Sequence, residues 1–362
     1  MKKKSTLLLT GSAILALTLS ACGGSSEGSK LSDVNYTMNG ATAAPSVAFE
    51  TPFAANGTEV YKIEDGSGET ISDGDNLLVD ATVFNGSDAS QLGSTLTDSP
   101  MLIPVDQNLK DAAPELYNML VESKVGVNFS YTTNVDPNST STAEATPTVS
   151  PGTATNVEVY TVLNKIMNKA EGEASELDTP GVQSFEQAED GTATLTLSED
   201  RGDAPTELAT QDLITGTGDA VTESDTLYVN YVGVTWADGT SFDGNYGATP
   251  VALSLNNVIE GWKQGLVGKT VGSRVLMVIP SELAYGEDAA SSGAPEGALV
   301  FVVDILGATP ARTSTAEATP TETATADPSA TATSSESATP SETESEAATE
   351  SASPSTSESA SN

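Results

Sequence analysis

The apolar positions of this chain change their spacing several times between residues 226 and 306, and each change predicts an element. Apolar and polar side chains alternate over 227–232, which is typical of a strand. Apolar runs at 275–279 and 299–306 predict two further strands. Between the alternating stretch 227–232 and the first of these runs, residues 258–262 hold two branched apolar residues, a polar one, a glycine and a tryptophan. That composition predicts a short helix whose inner face lines a pocket.

Residues 34–170 carry a weaker version of the same pattern. Five positions recur at one constant spacing of 150 residues, namely Gly66, Gly68, Asp75, Leu77 and Val79 with Gly216, Gly218, Asp225, Leu227 and Val229. We interpret the recurrence as an internal duplication, in which 34–170 forms a second domain of the same fold. Within it, the segment 134–155 is rich in Ser, Thr and Pro and is predicted to be a low-complexity insert.

The connecting segments are polar or short. Residues 171–180 are acidic and predict a linker between the two copies. The alternating stretch that follows, up to Leu197, predicts an extra strand or hairpin at the edge of the second domain. Residues 45–49 predict the same for the first.

Composition excludes several classes of function. The chain has 362 residues and a formal net charge of -37, which argues against nucleic acid as a partner because phosphate binding needs clustered Lys and Arg. It contains no histidine, so a histidine base and histidine-ligated metals are excluded. We predict neither a metal nor a cofactor.

Both ends of the chain differ from a folded domain. Three lysines and an apolar run over 7–19 predict a secretory signal peptide at 1–21. The run ends in Leu-Ser-Ala-Cys, which looks like a bacterial lipobox and predicts lipid attachment at Cys22, followed by a flexible leader at 22–33. A buried or accidental thiol is the alternative. Residues 313–362 are almost free of apolar bulk and are predicted to be disordered.

The motifs of the second copy resemble those of one known family. In order they are Tyr231, Phe242-Asp243, Val258-Ile259-Glu260-Gly261-Trp262, Val271-Gly272 and Tyr285-Gly286. Together they are similar to the FK506-binding-protein family of peptidyl-prolyl isomerases, over about a third of the chain. The resemblance implies an α+β fold, in which an antiparallel sheet wraps around a short helix, with residues 181–312 as the isomerase domain and a degenerate copy before it.

The resemblance also implies roles for individual residues. Trp262 would form the floor of the proline pocket, the Ile259 amide and the Tyr285 hydroxyl would bind substrate carbonyls, and Asp243 would act electrostatically. The walls of the pocket would be Tyr231, Phe242, Val251, Val258, Ile259 and Phe301. Each has a simpler interpretation, because a single aromatic residue is more often core and Asp243-Gly244 is also a turn sequence.

The first copy lacks these side chains. Ala81 stands for Tyr231, Leu116 for Trp262 and Glu158 for Phe301. We therefore predict no isomerase activity in the first copy, and a structural, spacer or partner-binding role instead.

The leading hypothesis is a lipid-anchored isomerase that acts on proline-containing exported polypeptides outside the cell membrane and that also binds macrolides of the FK506 type. The alternative is a non-catalytic proline-binding or holdase-type module. A solute-binding lipoprotein is a third class, but nothing in the sequence resembles two large doubly wound lobes.

Overall fold

The described part of the chain contains two main antiparallel sheets, each packed against a short helix, and two separate hairpins. The computed structural model describes residues 28–40, 42–135, 148–286 and 289–312, all within one compact unit. Strands outnumber helices in both halves, and the predicted α+β class is confirmed.

Four predictions fall on residues that the structure leaves undescribed. They are the signal peptide 1–21, lipid attachment at Cys22, most of the leader 22–33 and the tail 313–362. In the part that is described, no helix has the length and apolar character needed to cross a membrane.

The described residues of the first half form eight strands and two α-helices. They are β1 (Asn35–Thr37), β2 (Ser46–Ala48), β3 (Glu59–Glu64), β4 (Asn76–Phe84), β5 (Gln91–Ser94), β6 (Met101–Pro104), α1 (Gln107–Ala112), α2 (Pro114–Val121), β7 (Asn128–Thr132) and β8 (Val157–Ile166). The main sheet has the order β3-β7-β8-β4-β5, and β6 pairs with the free part of β4. A separate hairpin is formed by β1 and β2.

In the second half, the residues that the structure describes form nine strands and two α-helices. They are β9 (Glu173–Ala174), β10 (Val182–Gln187), β11 (Ala193–Leu197), β12 (Ala209–Thr215), β13 (Thr226–Thr235), β14 (Ser241–Gly244), β15 (Val251–Ser254), α3 (Glu260–Leu266), β16 (Arg274–Ile279), α4 (Ala289–Ser292) and β17 (Leu299–Thr309). The main sheet has the order β14-β13-β17-β16-β12-β9, and β15 pairs with β13.

The two sheets have corresponding strand orders and pairings. In each, the long strand (β4 or β13) pairs with two short strands on one side and with the last strand (β8 or β17) on the other. Ala81 lies opposite Tyr160 in the first sheet, and Tyr231 lies opposite Val303 in the second. Ala81 and Tyr231 lie on the two long strands and are 150 residues apart, which is the spacing found in the sequence.

Both faces of the second sheet are covered, which explains why β17 is apolar at every position from Leu299 to Val303. One face packs on Trp262 and Leu266 of α3. The other packs on Val182, Leu195 and Leu197 of the β10–β11 hairpin. A strand that is buried on both faces has no polar side to alternate with. The prediction that this hairpin extends the sheet edge is wrong, because its apolar side chains cover the sheet face instead.

Residues 45–49 also belong to a hairpin that covers a sheet face. They contribute β2, which pairs with β1 and not with the main sheet. Val47 and Phe49 pack on a buried cluster that includes Phe84 and Val159 of the first sheet. The prediction of an added edge strand is wrong here also.

Three predicted boundaries shift. Leu31 is fully buried, so the flexible leader ends before it. Residues 171–180 are not a free linker, because Glu173–Ala174 forms β9 and pairs with β12. The insert predicted at 134–155 is shorter, since Val135 pairs with Thr148 and Thr155 is buried. In each case, a segment that is polar in sequence is held in place by contacts with residues distant along the chain.

The two sheets contact each other directly. Leu78, Ile166, Tyr228 and Leu306 form one buried cluster between them. The Tyr228 hydroxyl donates to the carbonyl oxygen of Pro100 at 3.1 Å. At the end of the described chain, Arg312 pairs with the buried Asp80 at 2.5 Å. Apolar packing and polar contacts therefore both join the two halves.

Candidate active site

A cavity of about 210 Å³ opens beside the N-terminus of α3. It is lined by Tyr231, Phe242, Asp243, Leu253, Asn257, Val258, Ile259, Trp262, Tyr285 and Phe301. The structure therefore brings together eight of the nine residues predicted for the site. They come from five separate stretches of the chain, and the sheet and the helix hold them at one place.

Trp262 lies on the first turn of α3 and is 4 % exposed. The preceding residue has to be small, because a Cβ atom on Gly261 would lie 2.3 Å from Cγ2 of Ile279 on β16. This close approach sets the helix directly on the sheet. The indole is thereby fixed on the inner side of the cavity, where it can serve as a floor.

The walls of the cavity are aromatic rings that meet edge to face. The Trp262 ring centre lies 5.3 Å from those of both Tyr231 and Phe301, with interplanar angles of 87° and 85°. Phe242 meets Phe301 at 5.6 Å and 89°. Edge-to-face pairs of this kind are favourable because the positive edge of one ring faces the negative face of the other. The rings hold each other and leave an apolar space between them.

Gly233 on β13 makes room for two of these rings. A Cβ atom there would lie 2.6 Å from Cε1 of Phe301 and 2.9 Å from Cζ of Phe242. Any other residue would push the rings off the sheet.

One polar pair lies at the rim of the cavity. The Tyr231 hydroxyl donates to Oδ2 of Asp243 at 2.7 Å, and Oδ1 of Asp243 accepts the Gly244 N–H at 2.9 Å. Burial, and then the hydrogen bond to the Asp243 carboxylate, raise the pKa of Tyr231 well above its ordinary value. The phenol therefore stays protonated through the physiological range and beyond it.

The backbone also offers a donor. Ile259 precedes α3 in an extended conformation, with φ -61° and ψ 150°. Among the described residues, none accepts a hydrogen bond from its N–H. Since Ile259 lines the cavity, its amide is available to a bound carbonyl group.

The predictions from sequence differ from the structure at a few positions. Val251 packs against the core beside α3 and is not among the residues that line the cavity. Leu253, two residues further along β15, takes that place. Side chains two residues apart on a strand face the same side, so the pattern that predicts an inward Val251 also predicts an inward Leu253. Leu253 could therefore have been predicted from the sequence. Asn257, in the segment before α3, carried no signal of its own.

An open recess continues the cavity outward past Tyr285, which is 44 % exposed. This recess of about 600 Å³ shares Phe242, Asp243 and Tyr285 with the cavity and is otherwise lined by Thr235, Gly293, Ala294 and Pro295. Its outer wall is therefore made of small residues, and a bound chain could leave the cavity in this direction.

The corresponding place in the first sheet is filled differently. Ala81 has no ring, and Glu158 lies where the second sheet has Phe301. The Tyr160 hydroxyl donates to the Glu158 carboxylate. Burial raises the pKa of Glu158, and the hydrogen bond from Tyr160 lowers it by less. A polar pair thus replaces the aromatic wall. The part of the chain that the structure covers also contains no group of three or more acidic or cysteine side chains placed to hold a metal ion.

A sheet wrapped around a short helix, with an aromatic cavity at the N-terminus of that helix, defines the class of the second domain as a peptidyl-prolyl isomerase of the FK506-binding type. Residues 218–306 match the family model described as FKBP-type peptidyl-prolyl cis-trans isomerase.

Known proteins support this class. An FK506-binding protein of Streptomyces anulatus is 39% identical over 110 residues, which are 29% of this chain and 89% of that protein. A probable FK506-binding protein of Corynebacterium glutamicum is 34% identical over 108 residues, 30% of this chain and 92% of that protein. The chain belongs to the family of FKBP-type peptidyl-prolyl cis-trans isomerases.

A longer relative is matched only in part. The isomerase FkpA of Escherichia coli (strain K12) is 40% identical over 113 residues, 31% of this chain and 42% of that protein. In the crystal structure of FkpA from Escherichia coli the identity is 39%, over 30% of this chain and 52% of that one, with a TM-score of 0.27. The chain thus spans about half of the length of FkpA, namely 42% of the full-length protein and 52% of the crystallised chain.

Proposed function

We propose that the cavity beside α3 binds the proline of an exported polypeptide and accelerates rotation about the peptide bond before it, at the outer face of the cell membrane. The observation that carries this proposal is the closed set of rings around Trp262, with the Tyr231–Asp243 pair and the Ile259 amide at its rim.

Rotation about an Xaa-Pro bond requires the loss of amide resonance, with a barrier of about 18 to 20 kcal/mol. The planar amide is strongly dipolar, and the twisted transition state is much less so. An apolar cavity therefore favours the twisted form over the planar one, which is catalysis by differential binding. No nucleophile, metal or proton transfer is needed.

The polar rim has a separate task. Once the amide is twisted, its carbonyl oxygen needs a donor in the new direction. The Ile259 N–H is available, and Tyr285 also lines the cavity with a hydroxyl group. The Tyr231 hydroxyl donates to the Asp243 carboxylate, which holds the charged group in one orientation at the rim. We assign Asp243 an electrostatic and positioning role.

The proposal is tested by an isomerisation assay on the full chain with an Xaa-Pro peptide. Catalysis is expected, and it should stay constant from pH 7 to about 10, because the raised pKa of Tyr231 keeps the phenol protonated there. Above that range, where free tyrosine ionises, both the hydrogen bond and its contribution to stability are lost as the pH rises through the raised pKa. A folded protein without activity would contradict the proposal. A decline with a midpoint below pH 9 would contradict the role of Tyr231.

The alternative of a non-catalytic binding module has one observation in its favour. The recess beyond Tyr285 is open, and its wall at Gly293, Ala294 and Pro295 is small. Such a wall excludes water less completely than bulky side chains would. For the same reason we propose a relaxed preference for the residue before proline, and weak binding of FK506-type macrolides.

The location outside the membrane is proposed from the sequence of the N-terminus. The apolar run at 7–19 and the residues up to Cys22 have the order of a signal peptide with a lipid-attachment site. Two or more acyl chains on one residue anchor a protein stably, whereas one chain binds only marginally.

A Cys22→Ser variant is expected to lose its lipid entirely, because Cys22 is the sole cysteine of the chain. Metabolic labelling with radioactive palmitate, followed by membrane fractionation, checks this result. The wild type should be labelled and sediment with membranes, and the variant should not be labelled. A variant that still takes up the label would refute lipid attachment at this position.

We also propose that the first domain is a degenerate copy of the second, which has lost isomerase activity and serves as a structural or partner-binding unit. Its support is the corresponding strand order of the two sheets and the hairpin that covers one face of each. The substitution of Glu158 at the position of Phe301 supports the loss of activity, since a carboxyl group does not favour a less polar transition state.

A further inference from the structure

Asn245 lies at a gap between β14 and β15, the two short strands that pair with the same side of β13. The last residue of β13 paired toward β15 is Val229, and pairing with β14 begins at Val232. On this side, the backbone groups of Tyr231 therefore face the loop 245–250. A backbone N–H or C=O left without a partner in such a place is costly, so something in the loop has to satisfy it.

Asn245 satisfies these groups with both its backbone and its side chain. Its Oδ1 accepts the Tyr231 N–H at 2.9 Å, and its own N–H donates to the Tyr231 carbonyl at 3.0 Å. Its Nδ2 has three acceptors, which are the Val229 carbonyl at 3.1 Å, Oδ1 of Asn230 at 3.1 Å and the Thr249 carbonyl at 3.2 Å. Because acceptors surround Nδ2 and a donor faces Oδ1, the amide fits in one orientation only.

These bonds reach the polar pair at the rim of the cavity. Tyr231 is bonded to Asn245 directly, at both its N–H and its C=O. Asp243 is separated from Asn245 by Gly244 alone. The 2.7 Å hydrogen bond between the Tyr231 hydroxyl and Asp243 thus joins two residues whose backbones are held by the same asparagine. A displacement at Asn245 would move both ends of that bond.

The first sheet contains the same arrangement without a cavity to serve. Thr95 occupies the gap beside β4, where its Oγ1 accepts the Ala81 N–H at 2.9 Å and donates to Asp80 at 3.1 Å. Asp80 and Ala81 stand at the positions of Asn230 and Tyr231. A hydroxyl is therefore sufficient to bridge the gap, and Thr95 provides an internal control for the purely structural part of the role.

We propose that Asn245 is a positioning residue for the isomerase reaction, which holds the Tyr231–Asp243 pair in place at the rim of the cavity. This inference rests on the pocket assignment made under the proposed function. Asn245 itself does not line the cavity, so its effect on the substrate passes through Tyr231 and Asp243.

The test compares two nearly isosteric replacements in the full chain. Asn245→Val removes the side-chain hydrogen bonds and is expected to lower kcat/KM about tenfold, mainly through kcat, because small displacements of groups that position the substrate have effects of this size. Asn245→Thr provides a hydroxyl as Thr95 does and is expected to stay within about threefold of the wild type. Thr95→Val is expected to lower the melting temperature without changing kcat/KM. If Asn245→Val does not fold, Asn245→Ala replaces it.

A double-mutant cycle with Tyr231→Phe separates positioning from general loosening of the fold. If Asn245 acts through the Tyr231 hydroxyl, Asn245→Val should have little further effect on kcat/KM in the Tyr231→Phe background. The inference is overturned if the two losses multiply, if Asn245→Val is as active as the wild type, or if Asn245→Thr loses as much as Asn245→Val. If the Tyr231→Phe variant is fully active, the pocket assignment is overturned as well. If Tyr231→Phe loses activity and Asn245→Val does not, only the inference about Asn245 is overturned.

Discussion

Replacement of Trp262 with leucine is expected to lower kcat/KM for an Xaa-Pro peptide by about 30- to 100-fold while the protein stays folded. The indole is 4 % exposed and meets the rings of Tyr231 and Phe301 at 5.3 Å. Leucine keeps an apolar contact between α3 and the sheet, but it removes the flat floor on which the proline ring would rest. Because that surface acts on the twisted amide, the loss should fall mainly on kcat. An isomerisation assay together with a thermal melt checks the result.

The matched control is Trp236, since the chain has two tryptophans and this one packs on the opposite face of the same sheet. Its ring lies so close to Gly181 that a Cβ atom there would be 2.2 Å from Cη2. Trp236→Leu should lower the melting temperature and leave kcat/KM within about twofold of the wild type. If both variants lose activity equally, or if Trp262→Leu keeps full activity, the cavity is not the active site.

Asp304→Ala is expected to cost about 3 to 5 kcal/mol in the free energy of unfolding, which is the largest effect on stability that we anticipate. Asp304 on β17 is 1 % exposed and binds Arg274 through both oxygens, at 2.6 Å from Nε and 2.8 Å from Nη2. The guanidinium group also lies over the ring of Phe185 at 4.6 Å and bonds to Gln187 at 2.9 Å. Removal of the carboxylate leaves a largely buried cation without its counter-charge, beneath the β10–β11 hairpin.

Urea unfolding of the full chain measures this cost, and two further variants define its origin. The first sheet has Asn128 and Thr161 at the corresponding positions, joined at 2.7 Å. Thr161→Val should cost only about 1 kcal/mol, because this pair is neutral. The double variant Asp304→Leu with Arg274→Met should recover most of the stability, because no unpaired charge remains. A loss below about 1 kcal/mol for Asp304→Ala would show that the ion pair does not hold the hairpin in place.

Local patterns were sufficient for the strands and the order of the motifs. The alternation over 227–232 and the apolar runs at 275–279 and 299–306 each lie within an observed strand. The short helix was expected at 258–262 and begins at Glu260, with Ile259 as its N-cap residue. The family followed from the same motifs, and the comparisons confirm it. The catalytic roles of the individual residues remain predictions for the experiments described above.

Local sequence patterns did not predict the position of an element where that position depends on the surface against which the element packs. The hairpins at 35–48 and 182–197 have the composition of strands, yet they cover sheet faces and do not extend sheet edges. A period of two shows that one side of a strand is buried but not which surface buries it. Residues 171–180 look like a linker because they are polar, and pairing of β9 with β12 orders part of them.

The sequence by itself thus determined the class of fold, the family and the set of aromatic side chains available for a pocket. The tertiary structure decided which of these side chains meet, placing Leu253 and not Val251 at the cavity. It alone showed that Asn245 bonds to Tyr231 and that Arg274 pairs with Asp304, thirty residues away. The reason is physical, since periodicity and composition act over neighbouring residues, whereas a hydrogen bond or an ion pair depends on where separate strands come together in space.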